Sequence, residues 1–361
     1  MEQIEKQPRK IHRYIFLLVI VASVFFMRWY APIMPHIQLP AEAVFPLEGH
    51  DPLFTLAGQP FYITNTMVSV WLAMLIIIVI AWNIRKQIKS GSMVLTGVSG
   101  AIASLLEGFY SMTESTAGKH AKKIFPWFAT IFLLVLFVNL QELVPGPDAF
   151  GYLHHSEHGY PKEVLLGGLV ETIVNPDAAE DHGAEGEATD AHATEAEMVE
   201  EHAGYSLVPF WRVASTDLNF TMSLAIISVV MTQVIGLQAL GAGYLTKYFD
   251  IKPVAEAWKK PGFGNPMDFI IGLVKLFASI LEIIAEISKI LSFTFRLFGV
   301  IFAGSVLLFF LGSMTGGLGQ SIAVLLEMLF GPLQALVFGM LTMMFMSMAT
   351  VGHGGHDEEH H

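Results

Sequence analysis

Long apolar runs are what most restrict how this chain can fold. Phe61–Trp82, Phe125–Val144 and Leu218–Leu240 each provide the roughly 20 mostly apolar residues that a helix needs to cross a bilayer. A fourth region, Pro266–Val351, is apolar apart from a glycine-rich break, Gly312-Ser313-Met314-Thr315-Gly316-Gly317-Leu318-Gly319. That break reads as the turn of a helical hairpin whose arms run from about Met267 to Leu311 and from about Ile322 to Thr350. At 1.5 Å per residue the first arm far exceeds a hydrocarbon core of about 30 Å, so it must tilt strongly or leave the membrane. The chain is therefore expected to be an all-α integral membrane protein with five or six membrane helices, including a long tilted C-terminal hairpin. One amphipathic interfacial helix is expected besides.

Charge supports that class and excludes others. Only 14% of the 361 residues are charged, against about 25% in a soluble domain. The net charge of −12 is unevenly placed: 14 acidic residues lie between Asp148 and Tyr205 against Lys162 alone. The rest of the chain carries 18 acidic and 19 basic residues, with no basic face for nucleic acid. With 0 Cys there is no disulfide framework, thiolate metal site or cysteine nucleophile. A G-x-x-x-x-G-K-[ST] phosphate loop is missing, which argues against an enzyme acting alone.

Alternating spans bring the basic clusters Arg85–Lys89 and Lys119–Lys123, and Lys247, Lys252, Lys259 and Lys260, to one side. The positive-inside rule makes that side cytoplasmic and leaves 148–205 outside. Ile15–Tyr30 follows Lys6, Arg9, Lys10 and Arg13 and has no small-residue cleavage site after it, so it reads as an uncleaved anchor helix. In Met93–Thr116, residues Leu95, Val98, Ile102, Leu105, Leu106 and Phe109 recur at helical spacing, which predicts the amphipathic helix on the cytoplasmic face.

Ionisable residues inside membrane helices are costly and mark function by default. The first hairpin arm carries Lys275, Glu282, Lys289 and Arg296 at intervals of seven, with Glu286 one turn from two of them. Such a stripe, about 31 Å long, must face protein or a water-filled path. Salt bridges between helices are the plainer reading. Arg296 is the one charge within Ile290–Phe310 and is flanked at helical spacing by Ser292, Gly299 and Ala303. Small residues let another helix approach, and a guanidinium stays protonated, so the pattern presents a fixed positive charge to a partner. Glu327 and Gln334 put a second polar face into the last arm. Asp217 and Asn219 open the Leu218–Leu240 span, either as a helix cap or as a channel mouth.

These residues resemble subunit a of the F-type ATP synthase family of bacteria. The resemblance rests on Arg296-Leu297-Phe298-Gly299 with Ala303-Gly304, then Leu333-Gln334-Ala335 and Met346-Ser347-Met348-Ala349. It also rests on Asn139-Leu140-Gln141-Glu142-Leu143-Val144-Pro145-Gly146, on Asp217–Ala225, and on Asn265-Pro266 with Leu281-Glu282 and Ser288-Lys289. It covers roughly 61–144 and 215–349.

The resemblance implies a non-catalytic stator subunit that passes protons through two offset half-channels to the carboxylates of a rotating c-ring. Its partners would be the c-ring subunits, b-type peripheral stalk subunits, the remaining ATP synthase subunits and membrane lipid, without nucleic acid, cofactor or metal. By resemblance, Arg296 faces each c carboxylate, Gln334 accompanies it, and Glu282 and Lys289 belong to the cytoplasmic half-channel. Val300 and Ser305 stand where many bacterial relatives have Asn and Glu, and Glu327 stands where some have His. Glu327 is therefore expected to be the ionisable group of the outer half-channel. The rival reading is a secondary ion or metal transporter with a buried Glu/Lys/Arg site, but the chain shows no internal repeat of the kind such folds use.

The expected organisation is an N-terminal anchor helix and external segment (1–60), a core helix, amphipathic helix and second span (61–147), and an external acidic His-rich insert (148–210). A third span with a cytoplasmic loop (211–265), the hairpin (266–351) and a polar tail (352–361) complete it. The insert holds His154, His155, His158, His182, His192 and His202 among carboxylates, and Asp177–Glu201 has a disorder-like composition. It reads as a solvated segment, with divalent-metal binding or local proton buffering as alternatives. The location is the inner cell membrane, with both termini cytoplasmic.

Overall fold

A computed structural model describes residues 18, 21–22, 25, 40–46, 52–56, 58–91, 95–144, 146, 149–156, 160–165, 170–173, 204–241, 243–244, 248, 266–315 and 317–351. The expected anchor helix Ile15–Tyr30 lies outside these residues except at helical Leu18, Val21, Ala22 and Phe25. The Asp177–Glu201 stretch, the tail 352–361, three of the loop lysines (Lys252, Lys259, Lys260) and Lys247 also lie outside them, as does the side chain of Lys275.

Among the described residues there are six long helices: α1 Asn65–Lys89, α2 Gly97–Ala117, α3 Ala121–Leu140, α4 Leu218–Leu240, α5 Pro266–Thr315 and α6 Gly317–Ala349. Among the described residues, five helical runs are long and apolar enough to cross a membrane, with α2 and α3 forming one run of 47 residues. The protein is thus a multi-pass, mostly helical membrane protein, as the apolar runs predict. α5 ends at Thr315 and α6 begins at Gly317, both inside the predicted glycine-rich break, and α5 at 50 residues is about 75 Å long.

Among the described residues eight short strands accompany the helices, and periodicity did not foresee them. They are β1 Ala43–Phe45, β2 Phe54–Leu56, β3 Gln59–Phe61, β4 Ile63–Thr64, β5 Gly151–Ser156, β6 Lys162–Leu165, β7 Val170–Ile173 and β8 Gly204–Pro209. They pair antiparallel as β1–β4, β2–β3, β5–β8 and β6–β7. The β5–β8 register runs from Gly151 opposite Pro209 to Ser156 opposite Gly204, so the two ends of the acidic insert are pinned together.

The described chain forms two compact units. One comprises 1–68, 143–212 and 302–329 and holds all the strands. In it the Tyr152 hydroxyl donates to the Ala43 carbonyl at 2.6 Å, and Asn65 Nδ2 donates to the Glu42 carboxylate at 3.2 Å. The other comprises 69–142, 213–301 and 330–361. Its core is built on the inward face of α3, where Ile124, Phe128, Val135 and Val138 recur at three-, four- and seven-residue steps and are fully buried. Leu297 of α5 and Ala335, Phe338 and Met346 of α6 belong to the same buried cluster. Phe293 packs on Phe338 with ring centroids 5.0 Å apart.

The predicted amphipathic helix is α2. It folds back on α3 through a 3-10 turn at Gly118–His120, where Gly118 takes φ +52°. Phe109 meets Phe128 and Phe132 edge-on, with centroids 5.4 and 4.9 Å apart. The face it buries differs from the predicted apolar stripe. Ser99, Thr113 and Ala117 are buried, Ile102, Leu106 and Phe109 are half-buried, and Val98 and Leu105 are exposed. The Thr113 hydroxyl reaches the Met343 sulfur at 3.1 Å, so α2 makes its protein contacts with small residues together with Phe109, while Val98 and Leu105 stay outside.

Candidate functional site

Arg296 sits on α5 with its side chain exposed, and Nη2 lies 3.4 Å from the Ser292 hydroxyl one turn back. Ser292, Phe295, Gly299, Val300 and Ala303 share the exposed face, while Phe293, Thr294, Leu297 and Ile301 are buried opposite. A methyl added at Gly299 would meet nothing within 4 Å. The helix therefore buries Phe293, Leu297 and Ile301 and offers a cation on a face where Ser292, Gly299 and Ala303 stand beside the exposed Phe295 and Val300. A guanidinium cannot face hydrocarbon at this length of apolar helix, so the face calls for a protein partner or water.

Below Arg296 the charges pair locally. Lys289 Nζ lies 2.9 Å from Glu286 Oε1, an ion pair one turn long within α5. Tyr248, beyond the end of α4, donates to the same Glu286 oxygen at 3.1 Å and lies 2.7 Å from Gln233 Oε1, which also accepts from Tyr244 at 2.8 Å. Lys289 Nζ stands 5.0 Å from the Phe345 ring centroid, a cation–π contact. The salt bridge is thus within one helix instead of between helices. Glu282 is half-buried on the same helix. Burial first, then the Tyr244 hydrogen bond and the Glu286 carboxylate, raise the Tyr248 phenol well above its ordinary value.

Gln334 of α6 is buried, and its Nε2 has no hydrogen-bond partner among the described residues. Asn139 of α3 joins two other segments, one of them at Gly331, three residues before Gln334. Its Nδ2 donates to the Gly331 carbonyl at 3.1 Å and its Oδ1 accepts from the Ser215 hydroxyl at 2.6 Å. The next polar pair is Ser69 and Gln141, where the hydroxyl donates to Oε1 at 2.9 Å and Nε2 donates back to the Ser69 carbonyl at 3.0 Å. Site reasoning from the sequence omitted Asn139, Ser215, Gln141, Gln233 and Tyr248. The signal available was a polar residue within or beside an apolar run.

Asp217 is buried and caps α4, its carboxylate accepting from the Asn219 amide at 2.9 Å. Asn219 itself is exposed. In the other unit, Glu327 of α6 is buried and lies against Gly304 of α5. A Cβ built at Gly304 would stand 2.9 Å from Glu327 Oε1, so the carboxylate occupies the space that the missing side chain leaves. Ser305, the neighbouring residue, is half-buried. Among the described residues no three His, Asp, Glu or Cys groups converge as metal ligands.

The family of ATP synthase A chains matches residues 67–347. ATP synthase subunit a of Moorella thermoacetica is 22% identical over 302 residues, covering 83% of this chain and 96% of that protein. ATP synthase subunit a 2 of Vibrio campbellii is 24% identical, covering 84% and 95%. ATP synthase subunit a 2 of Chlorobaculum tepidum is likewise 24% identical, covering 86% and 71%.

Proposed function

The chain belongs to the ATP synthase A chain family, and from that premise we propose that it is the stator of the membrane motor. It forms two offset half-channels that carry protons to and from the carboxylates of a c-ring, coupling their flow to rotary ATP synthesis. It is not catalytic alone; nucleotide chemistry belongs to other subunits of the complex.

The observation that carries this reading is the exposed Arg296 with the small residues Ser292, Gly299 and Ala303 at helical spacing around it. A permanent positive charge at a ring surface stabilises the deprotonated form of each passing carboxylate, by the opposite-charge effect on proton affinity. The same charge repels a free proton, so ions cannot cross except on the ring. Each proton contributes about 2.3 kcal/mol per 100 mV. Glu282, Glu286 and Lys289 serve the cytoplasmic half-channel. Glu327, with Ser305, Asp217 and Asn219, serves the outer one, and Gln334 accompanies the arginine in its role. The site is in the inner cell membrane, with both termini cytoplasmic and the acidic insert external.

Purification of the native complex tests the partnership. A ring of small apolar subunits, each with a membrane carboxylate, and b-type stalk subunits are expected to co-purify. Because the chain has 0 Cys, Ser292→Cys or Gly299→Cys supplies a unique handle that should cross-link to the ring. A stable lone monomer that transports ions by itself would overturn the reading.

A further inference from the structure

Four exposed phenylalanines gather where the chain enters α1, whose first residue is Asn65. Phe45, at the end of β1, is paired with Ile63, two residues before Asn65. Phe54 stacks on Phe61 across the β2–β3 pair, with ring centroids 4.5 Å apart. Phe150 and Phe210 close one end of the β5–β8 ribbon. The Phe210 amide donates to the Phe150 carbonyl at 3.0 Å, and the Arg212 amide donates to the Asn65 carbonyl at 3.5 Å. The Tyr152–Ala43 hydrogen bond ties the same ribbon to β1. Phe45, Phe54, Phe150 and Phe210 are 58%, 50%, 73% and 49% exposed, far more aromatic surface than a chain leaves in water without a purpose.

The ribbon changes character along its length. Its other end, where Ser156 faces Gly204, is about 20 Å from Phe150 at the rise of a strand. The exposed side chains near that end are polar or charged: His155, Lys162 and Glu171. Lys162 Nζ lies 3.4 Å from the Glu171 carboxylate and 4.7 Å from the Tyr205 ring centroid, and Tyr205 is the register partner of His155. Among the described side chains, the exposed large apolar ones of this segment therefore lie beside α1, and its charges lie at the far end.

We infer that the base of this ribbon is seated in the bilayer interface. Phe45, Phe54, Phe150 and Phe210 lie at the boundary between phospholipid headgroups and acyl chains, and the His155–Lys162–Glu171 end stands in water. α1 is a spanning helix with only 11% of its most apolar window buried in protein, so lipid surrounds it from its first turns. Asn65 marks the level at which that helix enters hydrocarbon, and aromatic side chains collect at such levels. The four rings come from three separate strand pairs, β1–β4, β2–β3 and β5–β8. A lipid surface covers all of them without a complementary shape, whereas a protein partner would have to match each pair. The acidic insert is thus fastened to the membrane at its root by its own side chains. This inference needs α1 in the membrane and is independent of the ion-path reading.

The test uses the assembled complex in phosphatidylcholine vesicles. Because the chain has 0 Cys, Phe150→Cys and Phe210→Cys each place one nitroxide label at the base, and His155→Cys and Glu171→Cys place one at the far end. Complex without an introduced cysteine supplies the background. Each label is read for collision with oxygen, which concentrates among acyl chains, and with a neutral nickel chelate, which stays in water. The oxygen-to-nickel ratio at 150 and 210 should exceed that at 155 and 171 by about tenfold, through exclusion of the polar chelate from the acyl boundary. Phe45→Cys and Phe54→Cys give the same reading if a label at 150 or 210 prevents assembly. Ratios at the base equal to those at 155 and 171 overturn the inference by placing the base in water. Low collision with both reagents at the base also overturns it, by placing a protein partner there instead of lipid.

Discussion

Gly304→Ala separates stability from ion passage in a way few substitutions here can. The added Cβ would stand 2.9 Å from Glu327 Oε1, with Glu327 Cγ at 3.4 Å and Cδ at 3.6 Å. Only the oxygen is too close, so the carboxylate end must retreat by about half an ångström to reach ordinary contact distance. Alanine in place of glycine within a helix is itself favourable by about 1 kcal/mol. The complex should therefore assemble and melt at or slightly above the wild-type temperature. Catalytic geometry is less tolerant: a misplacement of 1 Å costs on the order of 10²-fold, so half of that costs about tenfold. ATP synthesis by vesicles under an imposed proton gradient and potassium diffusion potential should fall about tenfold per assembled complex. Glu327→Asp, shorter by one methylene, should restore part of that loss in the Gly304→Ala background and lower activity in the wild type, a coupling that a double-mutant cycle reads directly. Full synthesis in Gly304→Ala would refute the placement of a working carboxylate against Gly304.

Three further outcomes are expected. Asn139→Ala deletes the bonds to Ser215 and Gly331 and should lower stability by about 2–4 kcal/mol, read as earlier thermal release of the subunit from the complex. Tyr248 has its pKa raised from 10.0, so above about pH 10 the unfolded chain loses a phenol proton that the native chain keeps. Stability must fall as pH rises past that point, and Tyr248→Phe should flatten the slope by up to one proton, about 1.4 kcal/mol per pH unit. Removal of 174–203, leaving the β5–β8 pairing in place, should leave synthesis unchanged from pH 5 to 8 if the insert is only solvated, and should depress it selectively at one end of that range if its histidines buffer protons.

What the sequence made legible was whatever one helix decides alone. Apolar length marked α1, α3 and α4, glycines marked the turn between α5 and α6, and Ser292, Gly299 and Ala303 marked the open face around Arg296. The seven-residue stripe was less faithful. A heptad drifts by about 20° on a straight helix, so Lys289 and Arg296 need not share surroundings, and Lys289 pairs with Glu286 while Arg296 stands exposed. Contacts between distant segments were not legible. Asn139 reaches partners 76 and 192 residues away, and β5 finds β8 across the acidic insert. Neither pairing leaves a periodic trace, and β5 and β8 have only 6 residues each. The carboxylate of Glu327 was readable as an oddity in an apolar arm; that it rests on Gly304 required the fold.

The central claim is that Arg296 prevents ions from crossing except on a ring carboxylate. Its most direct measurement is proton flux through the reconstituted complex under an imposed potential, taken together with ATP synthesis, for wild type and Arg296→Ala. The account predicts that the variant assembles, makes no ATP and conducts protons passively. Synthesis retained at half the wild-type rate or more, with no added leak, would contradict it.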